Sequence, residues 1–292
     1  MAPEDELEQA VIRARTGERA ALEEVVERIQ DRVYSLSLRM LADPADARDA
    51  AQEILIKIIT HLSAFRGEAA FTTWVHRIAA RHLVRWRRAQ AEAQELSFAS
   101  LGAMIDEGLS DEAAAQAVSH APAAAAAEGA GATEAVLVEE VRIACTEGML
   151  LSLDRDHRLA YLLGEVFELG SEDGAFALDI TPEAFRKRLS RAREALLSFM
   201  RNRCGVYDGR NRCRCSIQVP YTIRRGMLDP SRLRFATHPT VGQEGAGRQD
   251  KRVDQLVGLM DAAAIYRSHP DYAAPRQLAS AIKDLLRQEQ LH

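Results

Sequence analysis

The chain has 292 residues, 47% of them hydrophobic and 28% charged, with a formal net charge of −5. That suits two or three small domains. It excludes a membrane span, since no apolar run approaches the ~20 residues required, and four cysteines are too few for a disulfide scaffold. The acidic start, MAPEDELEQA, lacks the basic and apolar regions of a signal peptide, which points to a soluble cytoplasmic protein.

The net charge conceals strong sorting. From Ala91 to Glu140 there are many acidic residues and no Lys or Arg, whereas arginines dominate between Glu183 and Cys215. Glu4 to Leu41 reads as two helices, with Leu22, Val25, Val26, Ile29, Val33 and Leu36 on one face. Ala42-Asp43-Pro44 breaks the pattern, and Asp43 or Asp46 can cap the helix that follows, Asp46 to Leu62. Its expected core face is Ala51, Leu55, Ile58, Ile59 and Leu62. Its outer face carries Asp49, Gln52, Glu53, Ile56 and Thr60, polar groups around an aliphatic centre. That mixture suits a protein partner, although a surface helix with one stray Ile would read the same way.

Phe65-Arg66-Gly67-Glu68 makes a loop able to present an aromatic and polar atoms to a base. The helix from Phe71 is expected to bury Phe71, Trp74, Val75, Ile78 and His82. Arg77, Arg81, Arg85 and Arg88 form a second stripe that no neighbouring acid interrupts. Such a ridge repels itself unless something anionic lies along it, as a phosphate backbone does. A solvated basic face beside a buried Trp is the plainer alternative.

The order DARDAAQEILIKIITHLSAFRGEAAFTTWVHRIAARHLVRWRR resembles the second conserved region of the extracytoplasmic-function (ECF) group of sigma-70 RNA polymerase sigma factors. The resemblance implies that Asp49, Gln52, Glu53 and Ile56 face the clamp of the polymerase beta-prime subunit. It implies that Phe65, Arg66, Phe71, Thr72 and Trp74 melt and read the promoter −10 element, while Arg77, Arg81, Arg85 and Arg88 hold the non-template strand. The family usually has Asn where this chain has Arg81 and often Asp where it has Arg85. Added positive charge strengthens backbone contact without adding sequence readout.

Ala91 to about Thr133 reads as an acidic, Ala-rich linker, with short helical pieces possible from Leu96 to Ile105. In the resembled family this linker threads through polymerase. A plain tether is the alternative. A second helical domain begins at Val136, with Leu159, Leu162, Leu163, Val166 and Phe167 as a helix face. Ser171 to Ala177 forms a short helix, Leu178 to Thr181 a turn, and Pro182 opens a last helix with Thr181 as its cap. That helix should bury Phe185, Leu189, Ala192 and Leu196, making a helix-turn-helix whose second member enters a major groove. LGEVFELGSEDGAFALDITPEAFRKRLSRAREALLSF resembles the fourth region of the same family, which reads the −35 element and meets the polymerase beta flap. Thr181, Glu183, Arg186, Lys187, Ser190 and Arg191 are the candidate −35 readers. Asp179 stands where the family commonly has Gly, and Gly174 where a Glu-Ile pair is frequent.

Cys204, Cys213 and Cys215, spaced C-x8-C-x-C, offer three thiolates to zinc in a spacing that departs from the usual C-x2-C knuckle, with Cys145 and His238 as candidates for a fourth donor. Cys145, on an apolar helix face, reads more readily as a core residue. Flanking Arg203, Arg212 and Arg214 should lower the thiol pKa values, which would suit redox chemistry. Free structural thiols are a third reading. Thr237 to Arg252 reads as a hinge, and Val253 to Tyr266 and Pro275 to Leu291 as amphipathic helices that pack on a DNA-binding domain or a partner. His269 to Tyr272 reads as a turn.

The whole is an all-α protein. The resemblance implies that residues 1–90 form sigma region 2, 91–135 a linker, 136–203 sigma region 4, and 204–292 a cysteine-containing extension that could regulate the rest. The implied function is a non-enzymatic transcription initiation factor working with core polymerase and promoter DNA, open to an anti-sigma factor and requiring no cofactor beyond a possible zinc. The alternatives are a free-standing helix-turn-helix regulator, a metal or redox sensor, and a metal or thiol enzyme built on the cysteines.

Overall fold

The structure, a computed structural model, describes residues 3–86, 96–110, 132–238 and 262–288. Among these residues the regular structure is helical apart from isolated bridge residues, Cys204 paired with Cys213 and, further along, Tyr272. Packing separates two units. One holds Met1–Ala91, Leu159–Leu189 and Asp271–His292, the other Glu92–Arg158 and Ser190–Pro270. These units cut across the divisions expected from the sequence.

In the first unit, α1 (Pro3–Arg15), α2 (Arg19–Leu41), α3 (Pro44–Thr60) and α4 (Phe71–Arg85) form a bundle around α2. Val25, Val26, Ile29, Val33 and Leu36 are buried along α2 as their spacing predicts, while Leu22 stays half-exposed. Burying each such side chain contributes about 1.5–3 kcal/mol. Asp43 is the cap of α3. Its Oδ1 accepts from the N–H groups of Ala45 and Asp46 at 2.9 and 3.0 Å, and Pro44, which has no N–H to satisfy, starts the helix. The buried residues of α3 are Ala47, Ala50, Ala51, Ile54, Leu55 and Ile58, whereas Ile59 is half-exposed.

The expected face of α4 needs correction. Phe71 and Val75 are buried, but Trp74, Ile78 and His82 are half-exposed, and Thr73, His76, Ala79, Ala80 and Leu83 turn inward instead. Bulk misled the reading. The small Ala79 and Ala80 let the helix approach the bundle, which leaves Trp74 and Ile78 on the rim.

The helix-turn-helix follows α7 (Arg155–Tyr161) and a widened π turn at Leu162–Val166. Its members are α8 (Ser171–Leu178) and α9 (Pro182–Arg203), the latter continuing into the second unit. Gly174 lets the pair close, because a Cβ there would lie 2.3 Å from the Phe185 ring. Asp179 caps α8 in the left-handed conformation at φ 59°, which Asp tolerates better than most residues.

The last helix, α12 (Arg276–Gln288), lies on α2 and α3 with Leu278 and Ile282 buried. Asp31 accepts the Ala274 N–H at 2.7 Å, Lys283 pairs with Glu27, and the Arg39 guanidinium sits 5.1 Å over the Tyr272 ring. The expectation that the tail packs on a helical domain therefore holds for this helix. The side chains of Leu285 and Leu286 lie outside the described residues.

The second unit contains α5 (Phe98–Ser110), α6 (Glu134–Leu151), α10 (Cys215–Arg224) and α11 (Ala262–Arg267). Helix α5 extends the helical piece anticipated at Leu96 to Ile105, and buries Leu101 and Ile105. Residues 91–95 and 111–131 of the expected linker, and 239–261, most of the expected hinge and helix, lie outside the described residues. Arg203 binds the Gly102 carbonyl and pairs with Asp106, and Tyr221 donates to Glu107 at 2.7 Å. The buried Glu140 accepts from the N–H groups of Arg234, Phe235 and Ala236, pinning the chain after α10 onto α6. His269, expected in a turn, is buried with Nε2 2.8 Å from the Thr146 hydroxyl.

Candidate nucleic-acid interface

The polar face of α3 emerges as its pattern predicts, with Asp49 and Glu53 exposed and Gln52 and Ile56 half-buried. Across from it α4 presents Trp74, Ile78, Arg81 and Arg85, and the two helices flank an open cleft of about 970 Å³. One wall is acidic and the other basic. His82 bridges them, 2.5 Å from Lys57 Nζ and 3.7 Å from Glu53, with its pKa lowered first by burial and then by the Lys57 charge.

The loop before α4 turns at Gly67, whose φ of 74° favours glycine. Phe65 is not splayed outward. Its ring meets Phe71 edge-on at 5.2 Å and Trp74 at 5.5 Å, forming an aromatic floor, while Arg66 and Glu68 are exposed and Thr72 is half-buried. A pocket of about 310 Å³ opens beside it, lined by Phe65, Arg66, Trp74, Arg77, Arg81 and Phe176.

Arg77 and Arg81 point from α4 toward that pocket, Arg85 is exposed further along, and Arg88 lies outside the described residues. No acid interrupts the stripe locally, yet the fold brings one from far along the chain. Arg77 Nη2 donates to Asp179 Oδ1 at 2.8 Å and Arg81 Nη2 to Asp179 Oδ2 at 2.9 Å. The Arg77 guanidinium also sits 4.5 Å over the Phe176 ring, and Thr73 donates to Asp173 at 3.2 Å. The Arg81 hydrogen bond, then the Arg77 and Arg81 charges, hold the Asp179 carboxyl below the usual carboxylate range.

Beneath this contact His76 meets the edge of Phe167 at 5.2 Å, and neither ring nitrogen has a hydrogen-bond partner among the described residues. Burial, aided by the Arg32 charge, pushes its pKa down to about 3. Sequence reasoning missed Phe176, Asp179 and His76 as companions of the ridge. The one available signal was the Asp at a position where the resembled family has Gly.

On the helix-turn-helix, the Thr181 hydroxyl caps α9 by accepting the Ala184 N–H at 3.2 Å. Glu183, Arg186, Lys187, Ser190 and Arg191 are all exposed along one side, and Phe185, Leu189, Ala192 and Leu196 are buried on the other. Lys187 pairs with Glu183 at 2.7 Å, an exposed i,i+4 contact that a phosphate can displace.

The cysteines are free thiols. Cys204 and Cys213 face one another across the bridge, where the Gly205 N–H donates to the Cys213 carbonyl at 3.0 Å. Gly205 is required there, since a Cβ would lie 2.2 Å from that carbonyl oxygen. Cys215 begins α10, which packs on α6, the helix carrying Cys145. The expected lowering of thiol pKa values is overturned at Cys213 and Cys215. Burial pushes Cys213 up to about 11 and Cys215 up to about 12, and Cys145 rises well above the ordinary value. Arg214 is spent on the carbonyls of Gly209, Asn211 and Cys213, and Arg203 on Asp106. Thiols with raised pKa values are poor nucleophiles, which weighs against redox chemistry at Cys145, Cys213 and Cys215. Among the described residues no group of three or more His, Cys, Asp or Glu is close enough to share a metal ion.

Among the described residues no helix is long and apolar enough to cross a membrane. The family model described as Sigma-70 region 2 matches residues 25–93. The chain is 30% identical over 204 residues to the RNA polymerase sigma-H factor of Pseudomonas aeruginosa, covering 67% of this chain and 94% of that protein. It is 31% identical over 186 residues to the ECF RNA polymerase sigma-E factor of Escherichia coli, covering 64% and 90%. The ECF RNA polymerase sigma-E factor of Salmonella typhimurium gives the same identity and coverage.

Proposed function

Because the chain belongs to the sigma-70 family of RNA polymerase sigma factors, in its extracytoplasmic-function group, we propose that it opens promoters at the −10 element with α4 and reads the −35 element with α9. It acts in transcription initiation with core RNA polymerase and promoter DNA, and RNA synthesis belongs to the polymerase. The observation that carries the finer reading is the pocket where the Phe65 and Trp74 rings, backed by the buried Phe71, meet Arg77 and Arg81. Aromatic faces stack an unpaired base and guanidinium groups bind the adjoining phosphates, which is the combination single-stranded DNA requires.

In this reading Asp49, Gln52, Glu53 and Ile56 meet the polymerase clamp, an apolar centre within a polar rim. Exposed Arg186, Lys187, Ser190 and Arg191 enter a major groove at the −35 element. A free-standing helix-turn-helix regulator would have no use for the α3 face. Initiation by core polymerase supplemented with the chain tests the proposal.

A zinc ion at Cys204, Cys213 and Cys215 is a second proposal, supported by three thiols close in sequence and by the bridge that sets Cys204 opposite Cys213. Binding would draw the thiols inward and release their protons, so affinity falls as pH falls. Visible absorption of the cobalt(II)-loaded chain tests it. Thiolate-to-cobalt bands that weaken in Cys213→Ser are expected, and failure of the wild-type chain to take up cobalt or zinc rules the site out.

A further inference from the structure

The single-strand track is occupied in this conformation by the chain itself. Two features of α8 and its cap fall where a nucleotide would lie. Phe176 presents a ring to the Arg77 guanidinium at 4.5 Å, as a base stacked on arginine would. Asp179 presents two oxygens, one to Arg77 at 2.8 Å and one to Arg81 at 2.9 Å, as a bridging phosphate would. Phe176 also lines the pocket over the Phe65 and Trp74 rings. Thr73 and Asp173 add a hydrogen bond at 3.2 Å, and α4 packs along α8, all within one unit.

The participants are not generic surface charges. Asp179 holds φ 59°, a conformation that costs a side chain energy and that glycine would adopt freely. Asp179 and Arg81 are also two positions at which the chain departs from the pattern described above, and here the departures meet each other.

We propose that α8 and Asp179 act as a built-in nucleotide mimic that closes the −10 single-strand track of the free chain, and that withdrawal of the helix-turn-helix opens it. The inference rests on reading the arginine ridge as that track. The Asp179 carboxylate is 59% exposed and so are its partners in part, so the closure is screened by salt and reversible. That is what a gate requires: a polyanion competes with it, and anything that holds the helix-turn-helix elsewhere removes it. By linkage, occupancy of the ridge by DNA must in turn favour release of the helix-turn-helix.

The test uses the full free chain and a fluorescein-labelled, mixed-sequence single-stranded oligodeoxynucleotide, read by anisotropy. Asp179→Asn keeps a residue that tolerates the left-handed conformation while removing the charge. It should bind the probe about tenfold more tightly than wild type, since the competent fraction rises. Glu172→Gln removes one exposed charge from the same helix without touching the ridge, and its effect should be several-fold smaller. Arg77→Glu with Arg81→Glu should abolish binding. Equal effects of Asp179→Asn and Glu172→Gln overturn the closure. So does an unchanged affinity in Asp179→Asn when the arginine reversal still abolishes binding, in which case the DNA track itself stands. If the arginine reversal is also without effect, the track reading falls and the closure with it. Protection of the 73–81 amides from hydrogen exchange, lower in Asp179→Asn than in wild type, reads the closure directly without any DNA.

Discussion

Arg77→Glu combined with Arg81→Glu abolishes promoter opening by the reconstituted holoenzyme while core polymerase still binds the chain. Both residues point into the pocket framed by Phe65, Trp74 and Phe176, so reversal puts two carboxylates into the proposed single-strand track. Like charges at that separation repel, and each lost phosphate contact also loses its released counterion. The α3 face is built from Asp49, Gln52, Glu53 and Ile56 on a different helix, which is why polymerase binding survives. Reversal also frees Asp179, so any gain from an open track works against the expected loss and makes the test stricter. Permanganate reactivity of promoter thymines reads melting, and retention on immobilised chain reads polymerase binding. Reactivity at the wild-type level would remove α4 from the melting step.

The second large effect is acid sensitivity centred on His76. Its ring is buried against Phe167 and stays neutral in the folded chain, with a pKa pushed down to about 3 from 6.5. Unfolded, it takes up a proton below about pH 6.5. The unfolded state therefore binds more protons between these values, and stability is present above the unfolded pKa and lost as pH falls toward the folded one. Between pH 7 and pH 5 that amounts to about 2 kcal/mol. Urea unfolding at the two pH values should show it, and His76→Leu should remove most of the difference by eliminating the titrating group. Loss of the same size in His76→Leu would assign the effect to other groups. His82, whose pKa is also lowered, is the internal comparison.

Much of this fold could be read from spacing alone. Val25, Val26, Ile29 and Val33 repeat at helical intervals because they share the face of α2 that is buried in the bundle, and the pattern reports it directly. Thr181-Pro182 states a helix start in local chemistry, as does Asp43-Pro44. The exposed side of α9 followed from the same periodicity. Where the reading failed, the deciding contact came from a distant segment. The inward turn of α4 depends on Ala79 and Ala80 accepting a close neighbour, which a scale that rewards bulk does not register. Asp179 meets Arg77 across about a hundred positions of chain, and nothing local to either residue announces it. The thiols were misjudged for a related reason. Neighbouring arginines in sequence are not neighbours of the sulfur when their guanidinium groups turn to backbone carbonyls, and burial then dominates.

Run-off transcription on genomic fragments, with core polymerase and the wild-type chain as the only added specificity factor, is the measurement that bears most directly on the assignment. Discrete transcripts that depend on the chain, and that vanish with Arg77→Glu/Arg81→Glu, are the predicted result. Core polymerase that neither binds the chain nor gains any start site from it would contradict the account.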